Sequence, residues 1–109
     1  MADLDPHDLV LEVARRLSVD VNDPEMIEAV DAAYDDVLDY SGLEALPDEP
    51  RVRRQLVPYA EAIFLAAAAP VGTYGALGDD TFLPLSVPAH LHARYAPRFL
   101  FLKVAWGVG

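Results

Sequence analysis

No cysteine occurs in the chain, which excludes a disulfide framework, a thiol nucleophile and a zinc–thiolate centre and leaves the redox compartment unspecified. No apolar run approaches the ~20 residues that a membrane-spanning helix needs. The opening residues, Met1 to His7, are acidic and lack the apolar stretch of a secretory leader, so the reading is a cytosolic, soluble protein. Basic residues are scarce, eight against 18 acidic ones, for a formal charge of −10 and a pI near 4.4. A surface of that sign repels phosphate backbones, which argues against a sequence-reading DNA or RNA binder. Phosphate-cradling and dinucleotide fingerprints are missing too, because Gly72, Gly75 and Gly78 come with neither a preceding strand nor a lysine. With 109 residues the chain suits one domain with a modest core and is too short for two.

What is present is organised by charge. Residues 1–49 carry 15 acidic and two basic side chains, a balance of −13, whereas residues 50–109 carry three acidic and six basic, a balance of +3. Two halves of opposite sign favour head-to-tail self-association; the alternative is that the first two helices simply have solvated faces.

Helix signals are strong in the first two-thirds. Asp5 followed by Pro6 is an N-cap and first-position pair, and Leu9, Val10, Val13 and Leu17 form one apolar stripe. Asp23-Pro24 repeats the device. Met26, Ile27, Val30, Tyr34, Val37 and Leu38 form a second stripe running to Tyr40, with Gly42 at the stop. Asp48 is placed to cap a third helix, which Pro58 should kink and Pro70 should end, with Val52, Leu56, Ala60, Ile63, Phe64 and Ala67 on its buried face. A Gly-rich stretch, 70–87, has no convincing period. Residues 88–95 suit one or two helical turns, Pro97 breaks the chain again, and an apolar tail follows. The expectation is an all-α domain over residues 1–97, three main helices plus a short late one with the loop 70–87 inside it, and a C-terminal arm over 98–109.

Few residues suggest chemistry. Asp31, Asp35 and Asp39 recur at one-turn spacing and share a helix face with Asp36 nearby, but hard cations are usually held by converging loop oxygens, so the row reads as acidic surface rather than a metal site. His90 and His92, two apart on a short helix, point away from each other. Ser18, Ser41 and Ser86 occupy no recognisable nucleophile turn. No catalytic, cofactor or metal site is expected. Arg51, Arg53 and Arg54 open the third helix against its dipole, which points either to a neighbouring subunit or to pairing with Asp48, Glu49 or the second helix. Phe99, Leu100, Phe101, Leu102 and Trp106 lie beyond the last proline. They either complete the core or dock into another protein, and the limited room in a three-helix domain favours docking.

Five pieces in order carry a family likeness: the Asp-Pro helix of residues 23–33, Tyr40-Ser41-Gly42, the Pro-containing helix of 52–69, the glycine loop of 71–80, and the Val-Pro segment of 87–95. With the acidic start and short capped helix that precede them, the likeness covers about residues 5–97, and the order resembles the head-to-tail connector (head completion, or adaptor) proteins of tailed double-stranded DNA phages. The resemblance implies a helical bundle without a catalytic site. It implies a protein made in the bacterial host cytoplasm that assembles as a dodecameric ring beneath the portal, in the neck of the virion. Such a ring extends the DNA channel and offers a platform to the next neck or tail-completion protein. In that frame Phe99, Leu100, Phe101, Leu102 and Trp106 form the portal-docking arm, Arg51, Arg53 and Arg54 face a neighbouring subunit, and Asp31, Asp35 and Asp39 form an acidic channel or partner face. Repelling phosphate, such a lining lets DNA slide. Two other classes share the composition, an acidic DNA-mimicking inhibitor and a free-standing helical interaction domain.

Overall fold

A computed structural model of the chain describes residues 3–68 and 87–105. Residues 70–86 of the expected loop 70–87, and Trp106, lie outside the described residues. The architecture is all-α. Three long helices, α1 (Pro6–Leu17), α2 (Pro24–Ser41) and α3 (Pro50–Ala68), are followed by α4 (Ala89–Tyr95), a 3-10 turn (Ala96–Phe99) and α5 (Leu100–Ala105).

The first two helices start where the residues dictate. Asp5 accepts from His7 N, and Asp23 accepts from Glu25 N and Met26 N, each carboxylate satisfying amide donors that a helix start leaves unpaired. At the far end of α2, Gly42 takes the left-handed conformation (φ 78°) and returns its N–H to Leu38 O. Ser18 takes the same conformation (φ 57°) after α1 despite its Cβ. α3 begins at Pro50, so the cap position falls on Glu49, and the expected cap Asp48 instead accepts from the Arg53 side chain at 2.8 Å. α3 continues through Pro58.

α2 is the centre of the bundle, packed between α1 and α3 and touched by the 3-10 turn and α5. Its inward residues Met26, Ala29, Val30, Ala33 and Val37 are fully buried, and the alanines let the neighbouring helices approach closely. Leu9, Val10 and Val13 of α1 and Val52, Leu56, Tyr59 and Ile63 of α3 close the core around them. Each such side chain contributes roughly 1.5–3 kcal/mol by leaving water. The strand-like start of the chain is pinned to the α2–α3 connector. Asp3 and Pro47 form an isolated bridge, Leu4 N donates to Leu46 O at 2.8 Å, and the Tyr34 hydroxyl donates to Leu4 O while accepting from Leu46 N.

The C-terminal segment departs from the expected arm. Pro97 does not break the chain; it occupies the first turn of the 3-10 helix, where its missing N–H is harmless. Phe99 and Leu102 are completely buried and belong to the same core as α1–α3, so for these two residues the docking assignment is corrected to core. The physical reason is room. α2 presents alanines rather than large side chains to part of its surroundings, which leaves space for the aromatic ring and the leucine that a three-helix estimate overlooked.

Candidate functional site

With seven of its eighteen residues buried, α2 turns the opposite side to water, and Asp31, Asp35 and Asp39 stand there as an exposed row. Burial first, and then the charges of Asp35 and Glu28, push the Asp31 carboxyl above its ordinary value. Asp35 and Asp39 border an open cleft of about 390 Å3 at the C-terminal end of the helix, completed by Leu38, Gly42 and Leu43. Gly42, in the left-handed conformation that ends α2, is part of its lining. Two carboxylates beside two leucines make a surface matched to a cation carried on an apolar stem.

Asp36 faces the other way, although it is next to Asp35 in sequence. It shares a helical register with Ala29, Ala33 and Tyr40, and its carboxylate receives the hydroxyl of buried Tyr59 and the Nδ1 of His92, the latter at 2.8 Å. Desolvation, followed by the hydrogen bond to Asp36, pushes the Tyr59 phenol well above its ordinary value and keeps it a neutral donor. The network therefore joins α2, α3 and α4 through one carboxylate. Aromatic packing reinforces it: Tyr95 stacks on Tyr59 with ring centroids 5.0 Å apart, Tyr40 meets His92 edge-on, and the Lys103 ammonium lies 4.3 Å from the Tyr40 ring centroid.

The three arginines of α3 separate into different roles. Arg53 bonds Asp48 and lies 3.5 Å from Asp8, and the hydrogen bond to Asp48 raises its already high pKa. Its partners are thus within its own chain, the second of the two readings the sequence left open. The Arg51 guanidinium lies 3.9 Å from the Phe101 ring centroid, so it holds α5 against the start of α3. Arg54 is exposed and takes part in none of the ion pairs among the described residues. Elsewhere, Arg16 forms a bidentate pair with Glu61 that ties α1 to α3. Leu100 is 52% exposed and Phe101 is half-buried beneath Arg51.

Sequence reasoning missed Asp36, Tyr59, His92 and Tyr95 as a linked set. Register is the signal that could have found Asp36: of the four aspartates it alone continues the Ala29–Ala33 line of buried positions. His90 is exposed and stands apart from the network. Among the described residues no three His, Asp or Glu side chains are grouped so as to hold a metal ion, and no helix is long and apolar enough to cross a membrane. In comparisons with known proteins, no family model, no curated protein and no solved structure matches the chain.

Proposed function

We propose that the chain is a structural, non-enzymatic assembly protein, a head-to-tail adaptor that forms a ring beneath the portal of a tailed phage and joins capsid to tail. The observation that carries this reading is unpaired charge of two signs on one small bundle. Asp31, Asp35 and Asp39 stand exposed on α2, while Arg54, Arg94, Arg98 and Lys103 stand exposed on α3 and the C-terminal segment. No ion pair joins the two sets among the described residues. Surfaces that complement each other but do not meet within a copy favour a heterologous contact between copies, and such contacts close into rings when the rotation allows. An acidic α2 lining a channel would let DNA pass without the tight phosphate binding that lysines and arginines create.

With Phe99 and Leu102 in the core, the portal-facing contribution of the described C-terminal segment falls to Leu100 and Phe101. The exposed carboxylate row also favours a second reading, an acidic mimic of DNA that occupies a basic cleft.

Quantitative mass spectrometry of purified phage particles decides between them. An adaptor is present at a low, ring-like copy number, about equal to that of the portal protein. Absence from intact, infectious particles overturns the adaptor reading and leaves the DNA mimic in its place.

A further inference from the structure

The residues from 87 to 105 include no acidic side chain, and two of their cations are held in place rather than left to wave in solvent. The guanidinium carbons of Arg94 and Arg98 lie 5.8 and 4.9 Å from the centroid of one ring, Tyr95. That ring is itself fixed by stacking on buried Tyr59, whose hydroxyl is anchored on Asp36. Two exposed guanidinia, four residues apart across the junction of α4 and the 3-10 turn and oriented on a single aromatic ring, make a fork for two neighbouring anionic groups. Pre-orientation matters because it removes most of the side-chain entropy that an exposed ion pair otherwise loses. Neither arginine takes part in an ion pair among the described residues.

The matching anions are on α2. Asp35 and Asp39 are one turn apart on α2, about 6 Å along the axis, and they line a cleft together with Leu38, Gly42 and Leu43. We infer that Arg94 and Arg98 of one copy grip Asp35 and Asp39 of the next, and that this pairing, rather than the Arg51, Arg53 and Arg54 cluster, is the polar core of the contact between copies. The inference rests on the ring reading and sharpens it. Arg53 is committed to Asp48 and Asp8, and Arg51 lies over Phe101, away from Arg54, whereas Arg94 and Arg98 share one ring, so they alone present two guanidinia side by side without an ion-pair partner among the described residues. A second copy, which also carries −10, suits the fork because Asp35 and Asp39 offer two carboxylates and the copy can turn its own acidic surface elsewhere, whereas a duplex presents a continuous row of phosphates to an acidic protein.

Charge exchange tests it. One variant carries Arg94→Glu with Arg98→Glu, the other Asp35→Arg with Asp39→Arg, and far-UV circular dichroism checks that both keep the helicity of the parent. Sedimentation velocity at low ionic strength should show self-association of the wild type. It should show at least about a tenfold weakening in either variant alone, recovery when the two variants are mixed, and no loss when Arg54→Glu is tested instead. A wild type that stays monomeric at low salt, a variant that associates unchanged, or a mixture that fails to recover overturns the pairing. Binding of a fluorescent DNA duplex through Arg94 and Arg98, without self-association, also overturns it and assigns the fork to phosphate. None of these outcomes alters the copy number measured in particles, so the pairing can fail while the adaptor reading stands, and the reverse.

Discussion

Replacing Phe99 separates a core role from a docking role. The ring is 0% exposed and stacks against Phe101 at 6.3 Å between centroids, among the residues of the main core. Phe99→Ala removes the ring from a site that α2 and α3 cannot fully collapse to fill, and truncations of this kind cost about 3–5 kcal/mol. Against a total stability of about 5–15 kcal/mol for a domain of this kind, that is a large share. At about 4 °C per kcal/mol, the unfolding midpoint falls by roughly 12–20 °C. Leu100→Ala is the internal control, because Leu100 is 52% exposed and its truncation changes stability by no more than about 0.5 kcal/mol. Thermal unfolding followed by circular dichroism, with urea titration to confirm an unchanged slope, measures both. A Phe99→Ala protein that melts within about 2 °C of the wild type refutes the core assignment and returns Phe99 to the surface as an anchor for another protein.

Tyr34→Phe deletes the hydroxyl that serves Leu4 O and Leu46 N together, stranding two buried backbone groups, and should cost about 1–3 kcal/mol in urea unfolding; a loss below about 0.5 kcal/mol refutes the bridge. Asp31→Asn removes a partly desolvated charge and with it the repulsion from Asp35 and Glu28, and should raise stability by a few tenths of a kcal/mol at neutral pH in dilute, low-salt solution. The sign of the pH dependence follows from the raised folded-state pKa. Between that value and the ordinary 3.8 the folded state holds more proton than the unfolded one, so acidification stabilises the wild type at this site. The advantage of Asp31→Asn must therefore shrink as pH falls, and an advantage that grows on acidification contradicts the repulsion.

Local signals accounted for most of the bundle. Asp-Pro pairs at 5–6 and 23–24 and the glycine at 42 are each explained by residues within one turn, so the bounds of α1 and α2 could be read directly from the chain. The C-terminal segment could not be read that way. Pro97 is a breaker by local rules, but tertiary room beside α2 lets it open a 3-10 turn that places Phe99 in the core. The acidic face was legible because it needs only helical spacing. The Asp36 network was not, since its partners Tyr59 and His92 are 23 and 56 residues away in sequence and come together through packing alone. Arg53 was placed between two readings for the same reason: helix-dipole logic says that a cation at that position is disfavoured, and only the fold shows Asp8 arriving from α1 to offset it.

The join between Asp36 and His92 also sets an order of events in folding. α1, α2 and α3 pack against their sequence neighbours across short connectors, contacts that cost little loop-closure entropy. The 87–105 segment instead gains its α2 partner at long range, with His92 lying 56 residues from Asp36. Local helix pairing is therefore expected to lead folding, with docking of the late segment following it. Substitutions at the Asp36 network should accordingly speed unfolding more than they slow folding, so that persistence of the bundle is tuned from the 87–105 segment.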